Sequence, residues 1–156
     1  MEKIIQDARN DPLLQSTLDI QSIIDSVDKT DMDYLGDRTL TDIAKEIYDS
    51  ILELGVPKEG LSNYCQKLIE YRYVDQIYQL HRGKHVRWIR TRDSVMTNGG
   101  IVVDIKFLDN GTHVVCKNGP RFIQYKFDEC LTFQKLSKEE QLLLSCYSIV
   151  NEETRL

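Results

Sequence analysis

The chain has 156 residues, 41% hydrophobic and 29% charged, with a formal net charge of −5. That length suits one domain, or a helical unit joined to a small barrel, and it buries about two thirds of the unfolded surface, so no disulfide or metal staple is needed. No run of about 18 apolar residues occurs and Met1 to Arg9 mixes charges without an apolar core, so neither a membrane span nor a secretion signal is expected.

The first part reads as helices. Asp11-Pro12 is an N-cap followed by proline in the first turn, and apolar residues from Leu13 to Val27 recur at near-helical spacing. Asp28 to Arg38 is polar and contains Gly36, so it is a connection. Thr41 is expected to cap a second helix with the stripe Ile43, Ile47, Ile51 and Leu54, stopped by Gly55 and Pro57. A third helix is expected from Ser62 to Leu80, carrying Tyr64, Leu68, Tyr71, Val74 and Tyr78 on one side and closed by Gly83. Tyr71, Tyr73 and Tyr78 fit its core side better than an interface. At His85 the pattern changes. Val86 to Arg90 is β-branched and aromatic, Thr91 to Asn98 is a polar loop, and Gly99-Gly100 opens a strand from Ile101 to Leu108. Asp109-Asn110-Gly111 signals a hairpin back along Thr112 to Lys117. Asn118-Gly119-Pro120 turns again into Arg121 to Phe127, and Leu131 to Phe133 completes the set. Ser137 with Glu140 is a capping box for a closing helix to about Ile149. The fold expected is therefore α+β: about three helices over residues 1–82, then a five-stranded SH3-like β-barrel with a C-terminal helix over 83–156.

Charge divides along the same line, with a balance of −8 in residues 1–80 and +3 in residues 81–156. The four cysteines, Cys65, Cys116, Cys130 and Cys146, form no CxxC and read as reduced thiols in a cytoplasm-like compartment; a Cys116–Cys130 disulfide is the alternative. His81 and His85 are interrupted by Gly83, and His113 reads as an exposed strand residue rather than a general base. The run Asp28, Asp31, Asp33, Asp37 resembles a calcium loop in spacing. Leu35 stands where a side-chain oxygen is needed, however, and Asp42 is shorter than the usual glutamate, so solvated carboxylates are the better reading. No metal or other cofactor is expected. One segment stands out: Arg82, Lys84, Arg87, Arg90 and Arg92 surround Trp88 with no intervening acid. Charge beside an aromatic ring suits single-stranded nucleic acid, although alternation puts Trp88 on the core side with Val86, and the chain as a whole is acidic.

Gly83-Lys84-His85-Val86-Arg87-Trp88-Ile89, then Gly99-Gly100-Ile101-Val102, then Val114-Val115-Cys116-Lys117 resembles a small barrel element in proteins of large double-stranded DNA viruses. The resemblance covers about residues 83–135. It implies a viral protein whose barrel serves contact rather than catalysis, in a virion or another large assembly, and it carries over no functional residue. The expectation is a non-enzymatic binding or assembly protein acting on a protein partner. A nucleic-acid-binding accessory factor using Arg87, Trp88, Arg90 and Arg92 is the alternative. An enzyme, third in order, would need distant residues such as His113 and Asp128.

Overall fold

The computed structural model describes residues 33–154, so the helix expected from Asp11 to Val27 lies outside the described residues, as do Asp28 and Asp31. The described chain is α+β, with three α-helices and one six-stranded antiparallel sheet. In chain order the elements are α1 (Leu40–Leu52), α2 (Lys58–Lys67), β1 (Tyr71–Val74), β2 (His85–Arg90), β3 (Gly100–Leu108), β4 (Gly111–Asn118), β5 (Arg121–Lys126), β6 (Cys130–Lys135) and α3 (Lys138–Thr154). Two compact units result, one made of residues 43–136 and the other joining 33–42 to 137–154. β1, although it precedes residue 83, belongs to the sheet.

In the smaller unit, local hydrogen bonding sets the helix starts. The Glu140 N–H donates to Ser137 Oγ at 3.1 Å and the Ser137 N–H donates to Glu140 Oε1 at 2.9 Å, the expected capping box. The second oxygen of Glu140 accepts the Tyr34 hydroxyl at 2.7 Å, so this buried carboxylate is engaged on both sides. α1 is capped in the same reciprocal way by Thr39 and Asp42, at 3.2 and 2.9 Å. Thr39, not Thr41, is the cap, since a reciprocal box needs its acid three residues on.

The larger unit holds the sheet, in the order β1-β6-β2-β3-β4-β5. The stripe Ile43, Ile47 and Ile51 of α1 is buried as its spacing requires. The expected third helix is broken into three pieces: α2, the strand β1, and a 3-10 turn at Ile77–Gln79. Tyr71-Arg72-Tyr73-Val74 carries two aromatics and a valine, and pairing with β6 gives its backbone a ladder. That long-range pairing outweighs the helical spacing of Leu68, Tyr71 and Val74. Arg72 and Val74 face inward, while Tyr71 and Tyr73 are half-buried and Tyr78, expected in the core, is exposed. The five expected strands are all present, with ends shifted by one or two residues.

The core joins Val74 of β1, Val86 and Trp88 of β2, Val102 of β3, Val114 and Cys116 of β4, and Tyr125 of β5. Fully burying one large apolar side chain of this kind is worth about 1.5–3 kcal/mol. Trp88 and Tyr125 stack at 4.1 Å between ring centroids, 17° from parallel. The Tyr125 hydroxyl pairs with Thr132 Oγ1 at 2.9 Å, which satisfies both buried groups. A register shift between Val102 and Asp104 marks a bulge that bends β3. At the β4–β5 turn, Gly119 at φ +60° precedes Pro120, whose ring fixes φ near −65°, the type II′ pattern suited to a two-residue hairpin. At the β3–β4 turn, Asp109-Asn110 is the central pair and Gly111 begins β4, so the Asn-Gly pair is displaced by one residue from the expected turn centre.

Candidate binding groove

Past Val86, β2 leaves β3 and runs beside the loop that follows it. The Thr97 N–H and hydroxyl both donate to the Trp88 carbonyl, at 2.9 and 3.1 Å, and Arg87 Nε donates to the Thr97 carbonyl at 3.1 Å. Asp93 grips Arg90 through Nε at 3.3 Å and the terminal nitrogen at 3.1 Å. Desolvation would raise the Asp93 carboxyl. The Val95 N–H, the Arg90 hydrogen bond and the charges of Arg90 and Arg92 outweigh it and hold the carboxyl below its ordinary value. Ser94, at φ +59°, presents its carbonyl to the Tyr64 hydroxyl of α2 at 2.7 Å. The loop is thus fastened at both ends and in the middle. Its last residue, Gly99, has φ +79°, and a Cβ there would lie 1.9 Å from the Val86 carbonyl oxygen. Only glycine fits both constraints.

Between this loop and β5 lies an open groove of about 920 Å³. One wall is the end of β2 and its loop: Arg90, Thr91 and Arg92, with Thr97, Asn98 and Gly99. The other is β5, with Arg121, Ile123, Gln124, Tyr125 and Lys126. Trp88 and Cys130 lie at its floor, and Glu129 supplies the one carboxylate of the wall. Lys126 approaches Glu129 at 3.7 Å, whereas Arg92 and Arg121 have no ion-pair partner among the described residues. Four cations around one acid give the groove a positive potential in a chain that is negative overall.

Of the sequence-nominated contacts, Arg90 and Arg92 reach the groove. Trp88 is 3% exposed, one ring face covered by Tyr125, so it supports the groove rather than offering a stacking surface. Arg82 pairs with Asp104 at 3.0 Å, Arg87 is held by Thr97, and neither they nor Lys84 line the wall. Arg121 and Lys126 escaped notice in the sequence. Both lie in an acid-free strand, a weak signal that becomes informative only when the fold sets β5 beside the β2 loop.

His113 is buried, not exposed. Its Nε2–H donates to Asn110 Oδ1 at 2.9 Å and its Nδ1 accepts from Gln124 Nε2 at 3.0 Å, so amide side chains take both ring nitrogens. Burial comes about because the Asp109-Asn110 turn folds over it and Gln124 crosses from β5. His81 is engaged with Gln134 and His85 with the Tyr71 hydroxyl, separate roles for the two. Burial, then the charges of Arg87 and Lys135, lower the His85 pKa. The four cysteines are free thiols. Burial pushes Cys116 up to about 12 and, reinforced by Glu129 against Arg90 and Arg92, Cys130 up to about 11, so both are protonated and weakly nucleophilic near neutral pH. Asp42 is spent on its helix cap, and among the described residues no group of three or more His, Cys, Asp or Glu side chains is placed to hold a metal ion. No helix among the described residues is long and apolar enough to cross a membrane. Comparison with known proteins adds no relative: no family model, curated protein or solved structure matches the chain.

Proposed function

We propose that this chain is a non-enzymatic binding protein that takes an acidic protein partner in the groove between β5 and the β2 loop. The observation that carries this reading is the convergence of Arg90, Arg92, Arg121 and Lys126 on one groove, two of them without an internal acid. The strand order β6-β2-β3-β4-β5, with a 3-10 turn at Phe127–Glu129 before β6, supports an SH3-like plan to which β1 is added as a sixth strand. The resemblance of residues 83–135 to a small barrel element in proteins of large double-stranded DNA viruses supports a place in a virion or another large assembly. Single-stranded nucleic acid is the second reading, favoured by the same four cations. The covered rings of Trp88 and Tyr125 weigh against it, since stacking needs an open aromatic face.

The test is binding of a fluorescent acidic peptide and of an oligothymidylate to the full chain over a salt series, with the double variant Arg121→Glu/Lys126→Glu as control. Peptide binding abolished by the variant is the expected result. Oligonucleotide binding alone, with log Kd rising steeply with log salt, overturns the protein-partner reading in favour of the second.

A further inference from the structure

Side chains of a strand alternate between the faces of its sheet, so a groove lying on one face meets every second residue. This groove meets Ile123, Gln124, Tyr125 and Lys126 in succession, residues of both faces. It therefore reaches both faces of β5 around its free edge, with His113 and Asn118 of β4 also in its lining. That edge has no partner: β5 is the last strand of the sheet and pairs with β4 alone among the described residues. A two-residue hairpin closes on a hydrogen-bonded pair, here Asn118 with Arg121, and hydrogen-bonded pairs then alternate along the ladder. Arg121, Ile123 and Tyr125 thus spend their backbone groups on β4. The N–H groups of Phe122, Gln124 and Lys126 and the C=O groups of Phe122 and Gln124 point outward, while the Lys126 C=O opens the 3-10 turn at Phe127–Glu129.

Resting on the groove reading above, we infer that the partner enters as an extended acidic segment, adding a seventh strand to the free edge of β5. The outward N–H and C=O groups supply a ladder that any sequence can join, and charge supplies selection. Arg121 on one face of β5 and Lys126 on the other flank the incoming strand, while Arg92 faces it from the loop wall. The same cations repel a second copy of β5, which disfavours edge-to-edge pairing of this chain with itself.

The test uses the full chain and a labelled peptide of alternating glutamate and valine, beside the same peptide N-methylated at every second residue and an oligothymidylate. The unmodified peptide is expected to bind and to slow amide hydrogen exchange at Phe122, Gln124 and Lys126. N-methylation is expected to abolish binding. Gln124→Pro removes one outward N–H at an edge where proline is tolerated, and should weaken binding about tenfold. Arg82→Ala, which removes a cation outside the groove, should stay within about twofold. Equal binding of the methylated peptide with unchanged exchange overturns strand addition and leaves the acidic-partner groove standing. Binding of the oligothymidylate alone, or of neither probe at low salt, overturns both.

Discussion

The two edges of the sheet are built in opposite ways. β1 has four residues, its Arg72 is buried with the guanidinium donating to the Gln79 carbonyl, and its two tyrosines are half-buried. β5 has six residues, ends in exposed or half-buried cations, and leaves Phe122 67% exposed. Short edge strands with inward charge are a common protection against unwanted pairing, whereas a longer, accessible edge invites a partner. The contrast teaches that the positive charge of β1 is spent inside the fold while that of β5 is left at the surface, where the proposed partner would meet it, although both strands offer an arginine and a tyrosine.

That comparison can be broken most forcefully beside β1. Phe133 is fully buried on β6 and packs on Tyr73 at 5.5 Å. Phe133→Ala should cost about 3–5 kcal/mol in urea unfolding while leaving the groove cations in place. A cost near zero would mean the β1 side is not structural. Next in size is the paired substitution of the two arginines. Arg72→Ala should lose about 1–3 kcal/mol, because the Gln79 carbonyl loses its buried charged donor. Arg121→Ala should stay within about 0.5 kcal/mol of the parent yet weaken acidic-peptide binding. Equal stability losses would erase the distinction between edges.

A smaller effect concerns acid. The His85 pKa is lowered in the folded chain, so the unfolded chain binds the proton more readily. Stability should hold above the unfolded value of about 6.5 and decline as pH falls through the lower folded value. Thermal melts at stepped pH should show this slope, and His85→Gln should flatten it; an unchanged slope would assign the acid sensitivity elsewhere. Smallest is the reactivity of Cys130. With its thiol held up at about 11, labelling by a maleimide should be slow at neutral pH, rise with pH, and slow further when peptide fills the groove. Rapid labelling indifferent to peptide would place Cys130 outside the occupied region.

Much of the sheet was legible because its instructions are local. Gly119-Pro120 sets one hairpin within two residues, and the Ser137–Glu140 box sets the start of α3 within a single turn. Trp88 was legible as core from alternation with Val86. β1 was not, since Tyr71, Val74 and Tyr78 satisfy a helical spacing and only the distant β6 decides otherwise. The burial of His113 was hidden for a similar reason, as Gln124 reaches it from another strand. The groove was half visible. Arg90 and Arg92 belong to a conspicuous basic run, but the opposing Arg121 and Lys126 enter only through the curvature of the sheet. Arg82, in the turn before β2, and Arg87, on β2, shared that run but pair with Asp104 and the Thr97 carbonyl instead.

The pairing of β1 with β6 also sets an order of events. β3, β4 and β5 are joined by two tight hairpins and can zip together as soon as they leave the ribosome. β1 is made before all of them, yet Tyr71 has no ladder until Lys135 has been synthesised. In that interval Tyr71-Arg72-Tyr73-Val74 is a nascent segment without its strand, and its helical spacing gives it an alternative to hold. β6 is thus awaited on both sides, by β1 and by β2, and the sheet stays in two parts until this last strand is made.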